Sequence, residues 1–271
     1  NREEAAENAR KFLANLGITE KELGRLKNFS SQEILRAAEP FLHSFRPVPD
    51  DIYLKTQKVP MFAYEDCARQ KTVLVGSSED EMVSFMTEED LAPVTEENLA
   101  VRLQQALSAG RLGTVSEDKY EIGKITKIVD TFRRVTGQTD PVQIYWNVIS
   151  LKGSLGSGAY YHAMERAVVG GAPVYAYYNA LDVPDTIDTS KSYAWHVSDL
   201  ALQFRIVRYG FCENASRVQS NAWAAFVRTG NPSIPGMEWP RYTSESQQIL
   251  RVDRECRVTS DYRRELLRAF E

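Results

Sequence analysis

The chain has 271 residues, 43% of them hydrophobic and 26% charged, with 15 Gly and 11 Pro, which excludes collagen-like, low-complexity and disordered classes. Lys and Arg number 33 against 37 Asp and Glu, and the net charge of −4 without a basic block gives a nucleic-acid role no electrostatic footprint. No apolar run approaches the roughly 20 residues a membrane span needs, so none is expected.

The opening Asn1-Arg2-Glu3-Glu4 is charged and does not read as a signal peptide, which leaves the compartment open. A first residue other than Met suggests a processed or excised piece. Ala5, Ala9, Phe12, Leu13 and Leu16 recur at helical spacing, with Gly17 as a stop. Thr19 with Glu22, and Ser30 with Glu33, have capping-box spacing and predict two short helices. Pro40, Pro47 and Pro49 are expected to break the pattern, with an extended connection over 45–60. Thr72 to Val75 is a short apolar run ending at Gly76-Ser77-Ser78, which suggests a strand buried on both faces.

Helical patterning returns over 95–151, with breaks near Gly110, Gly137 and Pro141, and with Val142, Tyr145, Val148 and Ile149 as one helix's buried face. Gly153-Ser154-Leu155-Gly156-Ser157-Gly158 reads as a flexible turn; it lacks the Gly-Lys-Ser/Thr of a phosphate loop. A helix over 160–169 precedes a strand over 173–178, and a polar loop over 182–193 leads into Ala194-Trp195-His196. Helices are predicted over 199–209, 214–228 and 261–270, with a strand over 248–252. Few strands between many helices point to an α/β fold. Three strands make a thin sheet, and its apolar edge invites a partner, either the rest of a larger sheet or a dimer.

Cys67, Cys212 and Cys256 are odd in number and far apart, so neither zinc nor a disulfide framework is expected, and no cofactor is called for. The N-x-S tripeptides at Asn28 and Asn214 carry little weight. Among three histidines, His43 and His162 fit packing or surface roles. His196 follows a strand and a loop, where the active groups of open α/β sheets gather, but spacing alone does not separate function from structure. Glu79-Asp80-Glu81 is open to two readings: a solvated helix-capping turn, or a carboxylate that orients a histidine. A nucleophile would complete the second reading, yet G-x-S-x-G is absent from this sequence.

Five segments in order carry a resemblance. Phe45 to Asp51 resembles "f-x-P-v-x-D-g", Val73 to Glu81 resembles "l-i-G-x-x-x-D-E", and Pro173 to Tyr178 resembles "P-V-Y-x-Y". Trp195 to Leu200 resembles "H-G-x-E-L", and Trp223 to Tyr242 is similar to "W-x-x-F-x-x-T-G-N-P … W-P-x-Y". These are segments of the type-B carboxylesterases, α/β-hydrolases related to the cholinesterases. The resemblance implies the C-terminal half of an α/β-hydrolase sheet, mostly parallel, with many helical insertions. It further implies one partial domain over 1–271, with 95–170 as a helical wall. Glu81 matches the family's triad acid, His196 its base and Asp199 the acidic position three residues on. Met82 and Val197 stand where the family has Gly. The family's serine and oxyanion-hole glycines belong to an N-terminal half, so the resemblance implies a carboxylic-ester hydrolase that needs that half and is inactive without it. Its partners would be a small-molecule ester and the missing half. Two alternatives remain: a non-catalytic relative of the adhesion-protein kind, and an unrelated helical interaction module, in which Glu81 and His196 would lie far apart.

Overall fold

Helix α1 (Arg2–Asn15) buries Leu13, and the chain leaves it through Gly17 at φ +67°, where Ile18 N–H donates to the Leu13 carbonyl at 3.1 Å. The computed structural model describes residues 2–45, 47–48, 52, 69–85, 93–108, 120–185 and 189–271, which fall into two compact units, Asn1–Glu65 and Asp66–Glu271. Thr19 N–H donates to Glu22 Oε2 at 3.0 Å to open a 3₁₀ turn over Glu20–Asn28, and Ser30 and Glu33 form the predicted capping box of α2 (Ser31–Ala38). Asn15 Nδ2 donates to the Ala37 carbonyl at 3.1 Å, joining the two helices. Pro40 breaks the α-helical pattern as expected, α2 ending two residues before it at Ala38. It sits in the first turn of a further 3₁₀ segment, Glu39–Ser44, where its missing N–H is not needed. The expected extended connection, and most of the Phe45 to Asp51 segment, lie outside the described residues.

The second unit is built on strands β1 (Val73–Ser78), β2 (Val174–Asn179), β5 (Gln248–Val252) and β6 (Arg257–Ser260), in the spatial order β1-β2-β5-β6. The first three run parallel, with Ser78 opposite Asn179 and Tyr177 opposite Leu250, and β6 returns antiparallel to β5. A separate two-residue ladder, β3 (Val183–Pro184) and β4 (Ser192–Tyr193), interrupts the loop read as irregular. Alternation along β2 divides the core. Val174, Ala176 and Tyr178 face one side with Val73, Val75 and Ala163, whereas Tyr175 faces the other with Leu74, Ala215, Val218 and Trp239. The first layer is α6 (Ser154–Val169) and the second α8 (Glu213–Thr229), so helices cover both faces of a mostly parallel sheet. β1 is only half-buried over Val73–Gly76, less than its apolar run implied, because its outer edge has no strand partner among the described residues.

Helices α3 (Leu99–Ser108), α4 (Ile122–Thr136) and α5 (Pro141–Lys152) form a third apolar cluster around Leu103, Ile125, Phe132, Ile144 and Val148. The sequence gives α5 one buried face; the structure buries every residue from Ile144 to Leu151, because α3, α4, α6 and the segment after β1 surround it. The glycine-rich segment is not a flexible turn. Gly153 caps α6 and residues 154–158 form its first turns, with Gly156 so close to α5 that a Cβ there would lie 2.3 Å from the Ser150 carbonyl oxygen. After His196 the predicted long helix is short, α7 (Leu200–Gln203): Arg205 turns left-handed at φ +61°, and Ile206 N–H closes onto the Ala201 carbonyl at 2.8 Å. Helix α9 (Arg263–Arg268) ends the unit, stopping short of the predicted limits.

Candidate active site

The three adjacent acids do not form a solvated turn. Beyond β1, Glu79 N–H donates to the Asn179 carbonyl at 2.8 Å, and Asp80 makes an isolated parallel bridge with Trp195, its N–H donating to the Ala194 carbonyl at 3.0 Å. The three side chains go to different partners. Glu79 accepts from Tyr262 Oη at 3.0 Å beside the Arg251 guanidinium, and burial raises its carboxyl above the ordinary range despite that cation. Asp80 is 0% exposed and turns to α5. Burial first, then the neighbouring Glu79 and Asp182 charges, push its carboxyl well above the usual value, against amide donors that hold it back. Glu81, 5% exposed, begins the 3₁₀ turn Glu81–Phe85 and faces the loop after β2.

There Glu81 Oε2 lies 2.5 Å from His196 Nδ1, while Glu81 Oε1 accepts Ser78 N–H at 2.6 Å. The two residues singled out in the sequence, 115 positions apart, are thus one pair at the carboxyl ends of parallel strands. This geometry removes the helical-module alternative, which placed them apart. The imidazole is one-third exposed, and among the described residues its Nε2 has no hydrogen-bonding partner. Phe85 lies beside the ring with centroids 5.0 Å apart. A carboxylate on Nδ1 fixes the tautomer that leaves Nε2 unprotonated and able to accept a proton, and stabilises the imidazolium that results.

Supporting contacts that sequence reasoning missed surround the pair. Asn179 Nδ2 donates to Ser78 Oγ at 3.1 Å and Ser198 Oγ at 3.0 Å, and Met82 N–H donates to Ser150 Oγ at 3.0 Å. A polar Asn closing the apolar strand β2 was the signal available in the sequence. Asp199 is buried and accepts from Gln203 Nε2 at 2.8 Å and Gln219 Nε2 at 3.2 Å, anchoring the segment after His196. Met82 is buried among the helices, whereas Val197 is 47% exposed and borders an apolar cavity of about 520 Å³ with Trp195, Leu200, Phe204 and Ile206.

Val197 adopts φ +61°, a left-handed conformation that a β-branched residue reaches only with strain. Val197→Gly should therefore stabilise the chain by about 1 kcal/mol, since little packing is lost at this exposed position. Urea denaturation should show a higher midpoint at unchanged slope; a lower one contradicts the strain argument.

His43 lies in the Glu39–Ser44 turn. His162, in α6, has its pKa lowered by burial and then by the Arg166 charge. For a base with a depressed folded value, the unfolded chain binds the proton more readily, so stability is lost as pH falls through the ordinary value of 6.5. His162→Gln should make unfolding free energy less steep between about pH 7.5 and 5. An unchanged slope would show that His162 titrates normally.

An α/β-hydrolase sheet with a carboxylate–imidazole pair beyond its strand ends defines the class, and the chain belongs to the carboxylesterase family, whose profile matches residues 1–270. The para-nitrobenzyl esterase of Bacillus subtilis (strain 168) is 25% identical over 281 aligned positions, covering 96% of this chain and 52% of that protein. The carboxylesterase of Geobacillus stearothermophilus has a similar fold, with TM-score 0.67 and 22% identity over 99% of this chain and 55% of that one. An esterase from anaerobic Clostridium hathewayi, described as able to hydrolyze aliphatic aromatic polyesters, gives TM-score 0.67 and 22% identity over 96% and 51%. The chain spans about half the length of the relatives it matches. Among the described residues no helix is long and apolar enough to cross a membrane.

Proposed function

We propose that this chain supplies the acid and the base of a serine carboxylesterase whose nucleophile and oxyanion hole lie in a further N-terminal portion of the same protein. The observation that carries the reading is the 2.5 Å contact between Glu81 and His196, with no hydrogen-bonding partner for Nε2 among the described residues. In the complete site a serine hydroxyl attacks the ester carbonyl while His196 Nε2 takes its proton. The imidazolium, held by Glu81, then returns that proton to the departing alcohol oxygen. Water repeats the sequence on the acyl-serine, releasing the acid. The oxyanion hole contributes several kcal/mol of barrier lowering from the other portion. The outer edge of β1, which has no strand partner among the described residues, is a fitting seat for a strand of that portion, and residues 95–170 are a fitting wall for the substrate.

Short acyl esters test this reading. The 271 residues alone should hydrolyse them no faster than buffer, and the same chain joined to its N-terminal portion should turn them over. Comparable turnover by the isolated chain, or none by the joined protein, defeats it.

A further inference from the structure

We propose that Asp80 is a positioning residue for the His196 base, clamping the turn that carries it to helix α5; the inference rests on the hydrolytic reading of the Glu81–His196 pair. Asp80 and Ala194 are both 0% exposed. The Asp80 main-chain N–H donates to the Ala194 carbonyl at 3.0 Å, and the Asp80 carboxylate accepts Ala194 N–H at 3.2 Å. One residue thus engages both polar main-chain groups of another, two positions before His196.

The rest of the carboxylate is anchored in α5. Gln143 Nε2 donates to its two oxygens at 3.0 and 2.8 Å, and Asn147 Nδ2 to Oδ1 at 2.8 Å. Among the described residues every bond made by the side chain is therefore accepted from an N–H group, and none comes from a cation. A buried carboxylate held by neutral amides alone is costly for a spacer, but it makes a stiff, multiply tied junction. On the far side, Ser198 is tied through Asn179 to Ser78, whose N–H holds Glu81. Residues 194 and 198, each two steps from His196, are thus both fixed to the segment that bears its carboxylate partner. Between them lies Val197 in its strained conformation, which local preference would not hold in place. The clamp keeps the imidazole at Glu81 and aims Nε2.

The test joins a spectroscopic readout on the chain with kinetics on the protein joined to its N-terminal portion. In the wild-type chain the Nδ1 proton shared with Glu81 should resonate well downfield of the amide region. In Asp80→Asn the amide group cannot accept every bond, and this resonance should broaden or vanish while circular dichroism stays native. In the joined protein kcat should fall roughly 100-fold with KM nearly unchanged, the size expected for a misaimed reacting group. An unchanged resonance and kcat, with only a lower melting temperature, would make Asp80 a packing residue and overturn the proposal. If Asp80→Asn does not fold, Gln143→Leu, which cuts one anchor at a partly exposed site, should broaden the same resonance, with a loss in kcat of about 10-fold. A wild-type joined protein without esterase activity would count against the hydrolytic reading, whereas the resonance decides the clamp by itself.

Discussion

Glu81→Gln, in the protein joined to its N-terminal portion, is expected to lower kcat by roughly 10⁴-fold, the scale seen when a triad carboxylate becomes an amide. The local hydrogen bonds dictate why. Ser78 N–H needs an acceptor and receives one from Glu81 Oε1 at 2.6 Å. A glutamine must keep its oxygen there, which turns its NH₂ toward His196 Nδ1. The imidazole then accepts at Nδ1 and carries its proton on Nε2, the nitrogen that has to receive the serine proton. The base is thereby disarmed without being moved. KM should change little, because neither Glu81 oxygen faces open space in this arrangement. A loss below about 10-fold would mean that Glu81 does not set the tautomer.

Asp261→Ala is expected to cost the chain about 3–5 kcal/mol, because it strands a buried guanidinium. Arg263 is 0% exposed, and Asp261 meets it at 2.8 Å (Nε to Oδ1) and 2.7 Å (Nη2 to Oδ2). The same guanidinium lies 4.6 Å from the Tyr178 ring centroid and donates to Ser77 Oγ at 3.3 Å, so it fastens α9 to both β1 and β2. Cation–π attraction, worth about 2 kcal/mol when desolvated, does not replace the lost carboxylate. A domain commonly has only about 5–15 kcal/mol in hand, so this variant sits near the unfolding threshold. The pair Asp261→Leu with Arg263→Met should recover most of the loss, since it removes both charges together. Urea titration of the two variants reads this; a small loss in the single variant would mean that water reaches Arg263.

Much of the architecture was legible because its strands are unusually plain. Val73-Leu74-Val75, Val174 to Tyr178 and Ile249-Leu250 are apolar runs with no helical period, and they became the parallel core of the sheet. Strand β6 was missed because Arg257-Val258-Thr259-Ser260 is an edge segment with one apolar residue, formed only by pairing with β5. The glycines at 153–158 were misread for the opposite reason. Local preference favours a turn, but close contact with the end of α5 demands a residue without a Cβ at Gly156, and packing prevailed.

The candidate site was legible only in part. Glu81 and His196 came from five short segments matched to a family, since nothing in composition distinguishes Glu81 from Glu79 or Asp80. That distinction is made by three consecutive side chains diverging beyond a strand end, toward Arg251 and Tyr262, toward α5 and toward His196. The roles of Asn179, Ser198 and Gln143 depend on contacts across 19 to 101 positions in the chain, which no local pattern records.

The most direct test of the central claim is to label the joined protein with a fluorophosphonate and locate the modified serine by peptide mass spectrometry. The account predicts a single modified serine outside these 271 residues, with labelling lost in His196→Ala. A label on any serine within them would contradict it.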